Sequence, residues 1–143
     1  MKSAEITDLL VEAIESKQYD FLRTNFPNGD MVGHTGNYEA TIIGVEGVDL
    51  ALGRIMKAVD KVNGILLVTA DHGNADEMYE KVKKPGDAPK AKTSHTLNKV
   101  PFIVYGADVE IAEGEFGLAN VASTVVKLLG FEPDEHWLPA IIK

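Results

Sequence analysis

Residues 64–70, Gly-Ile-Leu-Leu-Val-Thr-Ala, form an apolar run that stops at Asp71-His72-Gly73-Asn74. Its length and its Ile, Leu and Val content suit a buried strand of a parallel sheet, although periodicity alone does not separate it from a helix. The abrupt stop matters most. In open α/β sheets ligands bind beyond the carboxyl ends of strands, so Asp71 and His72 stand where chemistry is usually done.

The chain around this run reads as α/β. Residues 3–16 carry Ile6, Leu9, Leu10 and Ile14 at helical spacing, with Ser3 or Thr7 as the cap. Residues 19–25 alternate as a strand does, and Pro27 with Asn28-Gly29 breaks them. Residues 31–36, Met-Val-Gly-His-Thr-Gly, read as a glycine-rich loop bearing His34. From 37 to 62 the spacing of Ile42, Val45, Val48, Leu52, Ile55, Met56 and Val59 predicts a helix. Asn37 is its cap, Asn63-Gly64 is its stop, and Gly44 and Gly47 are expected to bend or delay it. A short helix is expected near 78–81. Lys83, Lys84, Lys90 and Lys92, with Pro85, Gly86 and Pro89, then predict a solvated surface loop rather than a phosphate site. Residues 100–105 read as a strand and residues 118–129 as a helix stopped by Gly130. This order implies layers with parallel strands, yet so few strands leave open edges, as in a piece of a larger sheet.

Three of the four histidines sit beside predicted strand ends, each with suitable neighbours. Asp30 and His34 flank the glycine-rich loop, Asp71 and His72 end the central run, and His95 precedes the last strand. Each pair alone is as readily an ordinary surface contact, and His136 beside Trp137 reads as packing or surface. The joint occurrence favours a metal, because two carboxylates and three imidazoles suit Zn²⁺ or Mn²⁺. Five ligands exceed what one catalytic ion with an open position takes; they suit a pair of ions clamping a phosphoryl group.

Composition limits the partners. Against 22 acidic residues stand 14 lysines and arginines, a formal charge of −8, which argues against nucleic acid or an anionic membrane. No apolar run approaches the roughly 20 residues of a membrane helix. The absence of cysteine fits a cytoplasmic location.

The segments Asn28-Gly-Asp-Met-Val-Gly-His-Thr-Gly36, Thr69-Ala-Asp-His-Gly-Asn-Ala75 and Thr93-Ser-His-Thr96 together resemble the 2,3-bisphosphoglycerate-independent phosphoglycerate mutases of the alkaline phosphatase superfamily. The resemblance runs from about Ile6 onward. It implies a three-layer α/β/α alkaline-phosphatase-like sandwich, here partial and mainly parallel. It also implies interconversion of 2- and 3-phosphoglycerate, in glycolysis and gluconeogenesis, through a phosphoserine at two Mn²⁺ ions, or Mg²⁺, Zn²⁺ or Co²⁺. Asp30, His34 and His95 would hold the first ion, and Asp71 and His72 would help hold the second. The family completes the second site with a further aspartate and the nucleophilic serine. None of Ser3, Ser16, Ser94 and Ser123 matches that serine, and Arg23 and Arg54 are too few for the family's arginine-rich substrate domain.

Residues 1–143 are therefore expected to be the C-terminal portion of the metal-binding phosphatase domain, without its N-terminal strands or the substrate-orienting domain. Alone, the chain should be inactive, bind at most one ion tightly, and self-associate through open sheet edges. A short non-catalytic metal-binding module and another phosphomutase, such as phosphopentomutase, are the alternatives.

Overall fold

The computed structural model describes residues 1–82 and 84–143; Lys83, one of the loop lysines, lies outside the described residues. The N-terminal half is helical. Helix α1 spans Ser3–Ser16, α2 spans Asn28–Gly33 and α3 spans Tyr38–Val62. Two strands follow, β1 at Leu66–Thr69 and β2 at Phe102–Tyr105. A 3-10 turn at Leu118–Asn120 then leads into α4, Val121–Leu128.

Helix α3 is the frame on which the rest is placed. Asn37 caps it, its side chain accepting from the Ala40 amide at 3.0 Å. It ends where Asn63 enters the left-handed region at φ 53°, and the Gly64 amide donates back to the Val59 carbonyl. Helix α1 runs parallel to it, because Asp8 pairs with Arg54 and Glu15 with Lys61, seven residues further along both helices. Between them the fully buried Thr7 returns its hydroxyl to the Ser3 carbonyl at 2.6 Å.

The apolar stripe expected on α3 is only partly the buried one. Ile55 and Val59 are buried, but Ile42 and Val45 are exposed, and Thr41, Gly44, Ala51 and Ala58 are buried instead. Small residues let neighbouring backbone approach closely. A Cβ on Gly44 would lie 3.3 Å from the Asn28 carbonyl oxygen and 3.5 Å from a Val32 methyl. Helix α3 starts at Tyr38, before Gly44, so the glycine does not delay it; it seats α2 against α3.

Four local expectations are corrected. Residues 19–25 form no strand, since no partner strand lies beside them among the described residues. Of the glycine-rich loop expected at 31–36, residues 31–33 belong to helix α2, and residues 34–36 form a turn that ends at Gly36 (φ 68°). No helix forms at 78–81, where Tyr79 instead bridges Ala91.

The fourth correction concerns the sheet. Strands β1 and β2 are antiparallel, in register Leu66 with Tyr105 through Thr69 with Phe102. A parallel pair requires a crossover, usually helical, and the described residues between 70 and 101 contain no helix. The chain turns out at Asp71 and comes back at His95. Antiparallel pairing places the end of β1 and the approach to β2 at the same sheet end; a parallel pair would have separated them.

Tyr105 ties the sheet to α3, its hydroxyl donating to Asp60 at 2.8 Å. The Asp60 carboxylate, with some burial, pushes that phenol above its usual pKa. The C-terminal tail is stitched onto α4. Fully buried Thr124 accepts from the Ile141 amide and donates to the Asn120 carbonyl, both at 2.8 Å, and Ser123 donates to the Leu138 carbonyl. No helix among the described residues is long and apolar enough to cross a membrane.

Candidate metal centre

Three of the five expected ligands meet. Asp30 on α2 and His34, the residue that follows its last turn, are four residues apart and share one face, with Asp30 Oδ1 3.2 Å from His34 Nε2. His95 arrives from the returning loop, its Nε2 3.1 Å from Asp30 Oδ1 and 3.1 Å from His34 Nε2. Among the described residues this is the one group of three or more such side chains with converging ligand atoms.

The triangle fits a divalent cation. Ligands about 2.0–2.1 Å from one ion stand about 3.3 Å apart at tetrahedral angles and about 3.0 Å apart at octahedral ones. The observed edges fall between those values. His34 Nδ1 lies 2.6 Å from the Thr93 carbonyl, which can only accept, so Nδ1 carries the hydrogen. In the neutral ring that leaves Nε2 with its lone pair facing His95 and Asp30, the arrangement metal-binding histidines usually show. Two imidazole nitrogens and a carboxylate oxygen at such distances need a cation, or a shared proton, between them.

Asp71 and His72 stand apart from this triangle. The His72 ring stacks on His95 with centroids 3.7 Å apart and planes 19° apart. Asp71 is largely exposed, its Oδ1 3.7 Å from His72 Nε2. The two line the same sheet end without closing a site of their own. His136 is a surface residue, hydrogen-bonded to Asp134.

Two residues without an assigned role hold the loops in place. Asn74, buried, donates from Nδ2 to Asp30 Oδ1 at 3.0 Å. Asp76 accepts from Thr96 at 3.0 Å and from Asn98 at 2.6 Å, beside a bridge in which the Thr96 amide donates to the Gly73 carbonyl at 2.8 Å. Desolvation opposes the Asp76 charge, but the bonds from Asn98 and Thr96, its own backbone amide and the Lys92 charge together outweigh it and hold the carboxyl below its usual pKa. Next to it, the hydrogen bond and charge of Lys92 lower Glu77 likewise. This latch fastens the outgoing segment to the returning one immediately after His95. Sequence carried a faint sign of both residues: each lies within five positions of the Asp-His-Gly stop.

A family model described as metalloenzyme superfamily matches residues 1–133. The chain belongs to the metalloenzyme superfamily. Within that superfamily its relatives are the mutases its motifs resemble. The chain is 46% identical, over its whole length, to the 2,3-bisphosphoglycerate-independent phosphoglycerate mutase of Trypanosoma brucei brucei, and spans 28% of that protein. With the corresponding enzyme of Shewanella halifaxensis it is 49% identical over 92% of its length, spanning 24% of the relative. A solved structure of Leishmania mexicana phosphoglycerate mutase at low cobalt concentration superposes on the whole chain with a TM-score of 0.93 at 46% identity, again over 28% of that chain. This superfamily member is thus a partial α/β unit of alkaline-phosphatase-like fold, about a quarter of the length of the mutases it matches.

Proposed function

We propose that this chain is the C-terminal portion of the metal-binding phosphatase domain of a 2,3-bisphosphoglycerate-independent phosphoglycerate mutase. The completed enzyme interconverts 2- and 3-phosphoglycerate in the cytoplasm, as an isomerase using a small phosphorylated acid. The observation that carries this reading is the Asp30–His34–His95 triangle in a chain so similar to these mutases. Asp30, His34 and His95 hold one divalent ion; Asp71 and His72 contribute to a second, whose remaining ligands and serine nucleophile come from elsewhere in the enzyme. We assign Mn²⁺ to both positions, since the mutases that the motifs resemble use it and a site of mixed oxygen and nitrogen ligands accepts it.

A divalent ion there supplies positive charge against phosphoryl oxygens. The chain's own residues do the positioning. Helix α2 fixes Asp30 and His34 relative to one another, the Thr93 carbonyl sets the His34 tautomer, and the latch at Asp76 keeps His95 on the triangle. His72, stacked on His95, forms one wall of the space beyond.

The reading predicts no formation of 2-phosphoglycerate when the purified 143-residue protein is given Mn²⁺ and 3-phosphoglycerate. The same assay on a chain extended through its upstream reading frame should show turnover, abolished by His95→Ala. Robust turnover by the 143 residues alone overturns the assignment as a portion. Absence of mutase activity from the extended chain overturns the activity.

A further inference from the structure

We infer that Asn74 is a positioning residue for the first metal site, acting through Asp30; this rests on the metal reading of the Asp30–His34–His95 triangle. Asn74 is only 5% exposed, and its Nδ2 donates to Asp30 Oδ1 at 3.0 Å. That oxygen is the same one that faces both imidazoles, at 3.2 and 3.1 Å. A carboxylate oxygen has two lone-pair directions in its plane. With one occupied by Asn74, the other is left for the ion.

The orientation of the amide is fixed by chemistry. Exchanging its nitrogen and oxygen would set a carbonyl oxygen 3.0 Å from the Asp30 carboxylate, with no hydrogen between them. The orientation has a cost, because Asn74 Oδ1 is buried without any partner. It is packed against Gly33, where even a Cβ would come within 2.1 Å of it. The Asn74 main chain is fixed as well, its carbonyl accepting from the Glu77 amide at 3.2 Å. A buried side chain that leaves one end unsatisfied while its other end holds a ligand oxygen is arranged for that ligand. Gly33 is the space that makes the arrangement possible. Together they connect the Asp-His-Gly-Asn stop, which supplies no ligand atom to the triangle, to the ion held there.

The test is Co²⁺ binding to the 143-residue protein, followed by visible absorption and by the metal-induced rise in melting temperature. Asn74→Ala should raise the Co²⁺ dissociation constant about 10- to 100-fold, the usual effect of losing an outer-shell partner, and change the ligand-field band. A merely structural Asn74 would lower the melting temperature of the metal-free and loaded forms equally and leave both the dissociation constant and the band as in the parent; that result overturns the inference. If Asn74→Ala loses the parent's far- and near-ultraviolet circular dichroism, Asn74→Ser, smaller and too short to reach Asp30, is titrated in its place. Failure of the underlying reading looks different: the parent itself would bind no Co²⁺, or His95→Ala would bind it as the parent does.

Discussion

Two glycine-to-alanine substitutions should have opposite signs, and the difference tests whether the loop latch builds the metal centre. At Gly73 a Cβ would lie 2.1 Å from Thr96 Oγ1 and 2.5 Å from Asp76 Oδ1. Asp76 can swing its exposed carboxylate aside. Thr96 is only 6% exposed, and its hydroxyl can move only by giving up Asp76 and straining the bridge to the Gly73 carbonyl. Overpacking of this kind costs about 1–3 kcal/mol. Losing one or two of the associated hydrogen bonds adds about 0.5–1.5 kcal/mol each. Gly73→Ala should therefore destabilise by about 2–4 kcal/mol, a fall in melting temperature on the order of 10 °C. Gly53, exposed within α3, has nothing within 4 Å of its hypothetical Cβ. Gly53→Ala should stabilise by about 0.5–1 kcal/mol through helix propensity alone. Scanning calorimetry on both variants measures the pair, and a Co²⁺ titration shows whether displacing the latch also takes His95 off the triangle. A Gly73→Ala protein melting within about 1 °C of the parent, with unchanged Co²⁺ affinity, would refute the reasoning.

Three further outcomes follow from the same contacts. The Asp76 carboxyl has a lowered folded-state pKa, so the charged form contributes stability that is present above the unfolded value of about 3.9 and lost as pH falls through the folded one. Asp76→Asn should be less stable than the parent at pH 7, with the gap narrowing below about pH 4 in denaturant melts; a gap constant from pH 7 to pH 3 would contradict this. Thr124→Val keeps the side-chain shape but leaves the buried Ile141 amide without its acceptor, and should cost about 1–3 kcal/mol in urea unfolding. Leu97, Phe131, Trp137, Ile65 and Ile103 are exposed, so light scattering should show self-association rising with concentration, and a strict monomer at millimolar protein would contradict it.

How much of this was legible in the sequence depends on whether local or long-range physics decided each element. Helices α1 and α3 were legible because periodicity and the ends of α3 are local: Asn37 and Asn63-Gly64 mark the ends of α3 where the structure has them. Ser3 and Thr7, the expected caps of α1, instead lie inside that helix, whose start has no side-chain cap. Helix α2 was missed because Asn28-Gly29 and Gly33 signal turns, and only packing against Gly44 of α3 makes a helix of them. Strand direction was missed because β1 and β2 each read locally as strands, and nothing local to either gives its direction. Direction is set by the 70–101 connection, whose described residues contain no helix and which is fastened by Gly73, Thr96 and Asp76. At the candidate site, residue type and spacing singled out Asp30, His34 and His95, and the structure brings them together. The same signals placed Asp71 and His72 beside them at one sheet end, and there the structure leaves them outside the triangle. Asn74 was overlooked because its amide becomes informative only when it is seen lying on Asp30.

The most direct test is the stoichiometry of Mn²⁺ binding to the 143-residue protein, measured by calorimetric titration of the parent, His95→Ala and Asp71→Ala. One tight ion per chain is expected, lost in His95→Ala and retained in Asp71→Ala. Two equivalent tight ions, or one that survives His95→Ala, would contradict the assignment of Asp30, His34 and His95 as the metal site.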